Sequence, residues 1–320
     1  MEKTIFHIDV NSAYLSWSAL ECLAKGETTD LRDIPSIIGG DMEKRHGVVL
    51  AKSIPAKAFG VKTGEPIVNA MRKCPRLLLH PPDHTLYHRR SRELMEFLSH
   101  ISPDIEQVSV DECYMDYTSV AGKYGDPYSA ATQMKDSIYK KFGYTVNIGI
   151  SNRKVLAKMA SDFKKPNLVH TLYLNEIQEK MWPLPVSSLY MCGQSSVEVL
   201  RKLEILTIGD LAAADKAVLA SHLKSHGIML WEYANGIDES NVITEHVDLN
   251  YIETGCPDQR RFLPGTSGAC RNRCGKASEL PPAGRYDKYR NQVQYFPQGF
   301  PPDNPPFTSS QHRCDIRQSL

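Results

Sequence analysis

Three stretches of this 320-residue chain predict a mixed α+β fold. Near the N-terminus an apolar run, Ile5, Phe6 and Ile8, ends on Asp9 in the manner of a buried strand. In the middle, IEQVSV alternates Ile105, Val108 and Val110 with polar neighbours and runs on into the β-prone YMDYT, the period-two pattern of a half-buried strand. Further on, SNRKVLAKMASDFKKPN spaces Val155, Leu156 and Met159 along one helical face, with Ser151 in position to cap the helix. The resulting order β, insertion, β, α, β, β, α, β suits a ferredoxin-like antiparallel sheet with helices on one face.

In chain order, the first strand leads into a helix reaching about Lys25, and Val48, Val49 and Leu50 form a strand ahead of AKSIPAKAFGVKTGEP. Residues 11–75 therefore read as a small inserted subdomain. From Arg76 the larger domain resumes: a strand at LLLH, a helix across Tyr87 to Ser99, a hairpin around Asp111 and Glu112, a helix from Ser129 to Phe142 and the strand YTVNIGI. Short helices fill Thr171 to Gly236, where Leu200, Leu203, Ile208 and Leu211 supply apolar packing near Gly193.

A hydrophobic content of 41% suffices for a core and more than one domain. MEKTIFHIDV enters a strand directly and no run reaches membrane-spanning length, so a cytoplasmic protein without membrane association is expected. The 8 cysteines follow no disulfide framework, which agrees with reducing conditions. Net charge is only +1, but basic residues cluster at Lys44 and Arg45, at Arg89, Arg90 and Arg92, and at Arg153, Lys154, Lys158, Lys164 and Lys165. A positive groove is thus compatible with a nearly neutral chain, although the Arg89 group reads as a solvated helix face.

The chemistry concentrates in SVDECYMD, where Asp111 and Glu112 are adjacent. Neighbouring strand residues point to opposite faces, so the two can serve one cation only at a strand end or bend. By itself such a pair is more often a solvated turn. Asp9, a third carboxylate at a strand end, shifts the balance toward an oxygen-only cluster suited to Mg²⁺. Two such ions roughly 4 Å apart would clamp the attacking and leaving oxygens of an in-line phosphoryl displacement.

IFHIDVNSAYLSW together with SVDECYMD resembles the two metal-binding motifs of the Y-family (translesion) DNA polymerases, in the UmuC-like or DinB-like branch. The resemblance covers roughly residues 1–240. It implies a palm over residues 1–10 and 76–170, fingers over 11–75 and a helix-hairpin-helix thumb over 171–240. It implies template-directed nucleotidyl transfer with two Mg²⁺ ions held by Asp9, Asp111, Glu112 and the Val10 carbonyl, with Asn11 no metal ligand. Tyr14 falls at the steric-gate position beneath the sugar of the incoming nucleotide, although alone it reads as a core aromatic on an amphipathic helix. Lys165, before Pro166, matches the lysine that contacts the triphosphate. Lys57 stands where many relatives carry a triphosphate-binding Arg, and Ile54 where many carry Tyr; a point charge then replaces a bidentate fork. Gly193 matches the thumb glycine whose following helix offers backbone N–H groups to a DNA phosphate. The implied partners are primer-template DNA, deoxynucleoside triphosphates and a sliding clamp, although no clear clamp-binding peptide is visible. Two alternatives are a DNA-binding remnant without turnover and a nucleotide cyclase; the KPN lysine, Tyr14 and the thumb hairpin argue against the cyclase.

Beyond about Glu245 the periodicity ends. Of 20 prolines, nine lie in this segment, from Pro257 to Pro306, and PQGFPPDNPPF cannot sustain a helix or sheet. Cys270, Cys274, His312 and Cys314 match no common zinc spacing. Where the family has its little finger, residues 241–320 are expected to form no folded domain, and an out-of-frame translation of that domain would account for the abrupt change.

Overall fold

The computed structural model describes residues 3–40 and 47–243. Lys44, Arg45 and the segment beyond residue 243, with the expectations attached to them, lie outside the described residues.

Strand β1 (Ile5–Val10) is buried along its whole length, at the centre of the larger sheet. Ser12, held in the left-handed region at φ 49°, turns the chain sharply into helix α1 (Ala13–Ala24). A small lobe follows: β2 (Ser36–Gly39), β3 (Val49–Lys52), α2 (Ile54–Ala58), α3 (Ile67–Lys73) and β4 (Leu78–His80). Its three-stranded sheet runs β3-β2-β4 and closes over its own core of Ile37, Val49, Ala56, Val61 and Ile67. The chain then continues through α4 (His84–Ser99), β5 (Ile105–Gln107), β6 (Glu112–Asp116), α5 (Ala121–Tyr124), α6 (Pro127–Phe142), β7 (Val146–Ser151), α7 (Lys154–Ser161) and β8 (Val169–Thr171). The larger sheet has the order β5-β6-β1-β7-β8, antiparallel except for the β7–β8 pair.

Two expectations change here. The LLLH strand was placed in the larger sheet, and with it a domain boundary at residues 75/76; β4 instead pairs in parallel with β2 in the small lobe. Without it the larger sheet is a βαββαβ ferredoxin-like unit, β1-α4-β5-β6-α6-β7, with β8 added at the edge. Helix α1, assigned from sequence to the inserted subdomain, contributes Leu15, Trp17, Ala19 and Cys22 to the main core.

Period-two alternation divides the sheet into two faces. Phe6, Ile8 and Val10 of β1, Cys113 and Met115 of β6, and Ile148 and Ile150 of β7 face the main core with residues from α1, α4 and α6. The opposite face carries Ile5, His7 and Asp9, paired in register with Asp116, Tyr114 and Glu112. This face is not open, as helices on one side alone would leave it, because α7 packs against it. Gly149 of β7 permits that approach: a Cβ there would lie 2.0 Å from the Ala157 carbonyl oxygen. Ser151, the expected cap, is the last residue of β7, and the α7 N-terminus is capped from elsewhere, the Val155 N–H donating to Asp238 at 2.9 Å.

Val155, Leu156 and Met159 of α7 pack into a second core with the helical region that follows: α8 (Ile177–Lys180), α9 (Gln194–Lys202), α10 (Ile208–Ala213) and α11 (Lys216–Ala234), the last kinked at Lys224. Leu200, Ile208 and Leu211 are fully buried there, and Leu203 is partly so. No helix among the described residues is long and apolar enough to cross a membrane.

Candidate active site

Asp9 and Glu112 face each other across β1 and β6, at the end of the sheet. Asp111 occupies the bend just before β6, so consecutive carboxylates escape the strand alternation that would separate them. Ser109 shapes this bend: its hydroxyl donates to Asp111 at 2.7 Å and accepts from the backbone N–H groups of Asp111 and Glu112. The Val10 N–H donates to the Asp111 carbonyl at 3.0 Å, which ties the bend to β1.

Two lysines lie among the carboxylates. The buried Lys158 ammonium is 3.0 Å from Glu112, 3.2 Å from Asp162 and 3.6 Å from Asp9. Lys165 is 2.6 Å from Asp9 and 2.8 Å from Asp162. A small amide network holds the Lys165 loop in place: Asn11 donates to Asn147 and accepts from the Asn167 N–H, while Asn147 donates to the Ser161 and Lys164 carbonyls. Asn11 thus ties the end of β1 to the loop that carries Lys165.

Burial pushes the Asp111 carboxyl up, the Ser109 hydroxyl offsets part of this, and the charges of Asp9 and Glu112 add to the rise. Glu112 goes the other way: burial raises it, but the His7 imidazole and the Lys158 charge outweigh burial and hold it at about 2. Lys158, pressed down by burial, is nevertheless raised by Glu112, Asp162 and Asp9. Three carboxylates (Asp9, Glu112, Asp162) thus share two ammonium groups while Asp111 takes the Ser109 hydroxyl, and the excess of hard oxygen donors is what a divalent cation such as Mg²⁺ would neutralise. Among the described residues no three such side chains form a preformed metal cage. Like charges repel, and each carboxylate instead takes a lysine, imidazole or hydroxyl partner.

Of the other residues expected from sequence, Tyr14 lies in the first turn of α1, stacked on Tyr87 with ring centroids 4.3 Å apart. Burial and then the Asp111 charge raise its hydroxyl pKa. Lys57 is exposed on α2, and Gly193 caps the N-terminus of α9 with open space around it. Neither is among the partners of the carboxylates. From the sequence His7 takes no role and Lys158 only a place in a basic cluster, although the i,i+4 spacing of Lys158 and Asp162 and the period-two spacing of His7 and Asp9 are available signals.

The impB/mucB/samB family model matches residues 8–162, a span that includes every one of these carboxylates. DNA polymerase IV of Clostridium acetobutylicum is 50% identical over 243 residues, covering 76% of this chain and 61% of that protein. DNA polymerase IV of Acetivibrio thermocellus is 38% identical over 249 residues, covering 78% and 61%. The chain thus spans about three fifths of the length of these relatives. In fold it is similar to the crystal structure of DinB from Sulfolobus solfataricus, with a TM-score of 0.66 at 23% identity over 75% of this chain and 69% of that one. The matched motif region, residues 8–162, and these relatives make the chain similar to the impB/mucB/samB family and to the DNA polymerase IV proteins.

Proposed function

We propose that this chain carries out template-directed DNA synthesis of the translesion type, by two-metal nucleotidyl transfer from deoxynucleoside triphosphates to a primer 3′ end in the cytoplasm. The observation that carries the reading is the Asp9–Glu112 cross-strand pair with Asp111 at the adjoining bend. Asp9, Asp111, Glu112 and the Val10 carbonyl would hold two Mg²⁺ ions, which when bound lower the charge barrier to attack of the primer oxygen on the α-phosphorus. Lys165, already at the carboxylates, would turn its ammonium to the triphosphate, and Lys57 would add attraction from the small lobe. Tyr14, braced by Tyr87, would exclude a 2′-hydroxyl by clash, because an apolar pocket alone rejects an added hydroxyl weakly. Gly193 and the free N–H groups of α9 would grip a DNA phosphate without reading sequence.

The test is extension of a primed template by the purified chain with Mg²⁺, beside Asp9→Ala and Glu112→Ala. Losing one ligand of a two-ion site should abolish extension while primer-template binding survives. Extension that persists in either variant refutes the assignment. Binding without extension by the unaltered chain favours the remnant reading, and cyclic nucleotide product would favour a cyclase.

A further inference from the structure

We propose that the small lobe carries a platform for single-stranded nucleic acid, in which Phe59 and Arg76 stack on an unpaired base and the surrounding cations meet the phosphates. The surface is read from its own residues; that the strand is an unpaired template rests on the polymerase reading.

Between residues 52 and 76 six cations (Lys52, Lys57, Lys62, Arg72, Lys73 and Arg76) stand against one carboxylate, Glu65, in a chain whose net charge is +1. Lys73 takes that carboxylate and also donates to the Gly60 carbonyl at 3.0 Å. Among the described residues no carboxylate forms an ion pair with any of the other five. Contacts gather this charge round the turn that follows α2. Lys52 donates to Thr63 at 3.1 Å, Lys73 reaches Gly60, and the exposed Arg76 guanidinium lies over the Phe59 ring, 5.4 Å from its centroid. Burial and then the Lys57 charge press the Lys52 ammonium down, and Glu65 offsets only part of this.

The local sequence explains why an aromatic ring stands at this corner. Ser53 caps α2, its hydroxyl accepting from the Ala56 N–H, and Gly60, at φ 76°, ends the helix one residue beyond Phe59. The small-lobe core closes without Phe59, whose ring is turned outward and is 41% exposed. An acidic protein would be met by the cations alone. A ring beneath a planar guanidinium suits a base, because every base offers a π face to stack on, while the cations track a phosphate backbone without reading sequence. An ordinary surface cation–π pair would account for Arg76 and Phe59, but not for the cations without a carboxylate around them.

The probes are an oligothymidylate of about 12 nucleotides and an abasic strand of the same length, which keeps the charge and removes the bases. Lys57, which the polymerase reading assigns to the triphosphate, is left unaltered. In fluorescence anisotropy with the full chain, Phe59→Leu and Arg76→Gln should each bind the oligothymidylate about 5–10-fold more weakly than the unaltered protein. Phe59→Leu should bind the abasic strand as the unaltered protein does. Lys62→Gln should make the fall of log K with log salt shallower by about 0.7, one phosphate contact, on both strands. Thermal unfolding of each variant controls for folding. Oligothymidylate binding unaffected by Phe59→Leu overturns the proposal. So does an equal loss on both strands, which would mark a general polyanion surface of the kind an acidic protein meets.

A primer-template with a template overhang of about 12 nucleotides, set against one with a single-nucleotide overhang, identifies the strand. A gain in affinity from the long overhang that Phe59→Leu removes assigns the platform to the template. No gain, with the contrast between oligothymidylate and abasic strand intact, assigns it to a separate strand. Primer extension, measured alongside, tests the polymerase reading by itself. Extension without the contrast leaves that reading standing and the platform refuted, and the contrast without extension does the reverse.

Discussion

Replacing Lys158 by methionine should destabilise the protein most when divalent cations are removed. The substitution keeps the apolar stem and deletes an ammonium that lies 3.0 Å from Glu112, 3.2 Å from Asp162 and 3.6 Å from Asp9. Removing one member of a buried ion pair costs about 3–5 kcal/mol, because the remaining charge stays buried without a partner. The Asp162 side chain is 45% exposed, so water compensates it, and the lower end, about 3 kcal/mol, applies. At about 2–4 °C per kcal/mol for a folded region of this size, the melting temperature should fall by roughly 6–12 °C in chelator. A cation that binds only the native state stabilises by mass action, and the variant presents more uncompensated charge to it. Saturating Mg²⁺ should therefore narrow the gap between variant and parent. Thermal unfolding of both proteins in chelator and in Mg²⁺ measures this. A loss below about 1 kcal/mol, or the same gap in both conditions, would refute the view of Lys158 as the counter-charge of this site.

Tyr14→Ala should raise ribonucleotide incorporation relative to deoxynucleotide, and should cost roughly 1 kcal/mol for the lost ring pair with Tyr87; an unchanged ratio returns Tyr14 to a purely structural role. Glu112 is held at about 2 in the folded protein against an ordinary 4.5, so its contribution, about 3 kcal/mol, is present above pH 4.5 and is lost as pH falls toward 2. Asp111, raised by burial, works against this, so the term is read from Glu112→Gln, whose urea-unfolding stability should fall less steeply across that window than the parent's. Gly149→Ala should be destabilising by about 3 kcal/mol, since the new methyl would meet the Ala157 carbonyl at 2.0 Å; a neutral result in chemical denaturation would mean that α7 can lift from the sheet at little cost.

Strand β1, the β5–β6 hairpin and the helices α4, α6 and α7 are legible in the sequence because their signals are local: period two ending at Asp9, alternation around Ile105, and helical spacing of Val155, Leu156 and Met159. The bend at Asp111 was legible for the same reason, since neighbouring strand residues point to opposite faces and two adjacent carboxylates that serve one cation need a break in the strand. What only the tertiary structure decided is non-local. Three apolar residues at LLLH fit either sheet, and the parallel register with β2 that places them in the small lobe depends on a strand some forty positions upstream. Which face of the sheet α7 would cover depends on a glycine in β7 allowing backbone to approach backbone. The partners of the carboxylates were hidden likewise, because His7, Lys158 and Lys165 gain their roles only when β1, β6 and α7 meet, and sequence spacing carries no record of contacts across 46 or 156 positions.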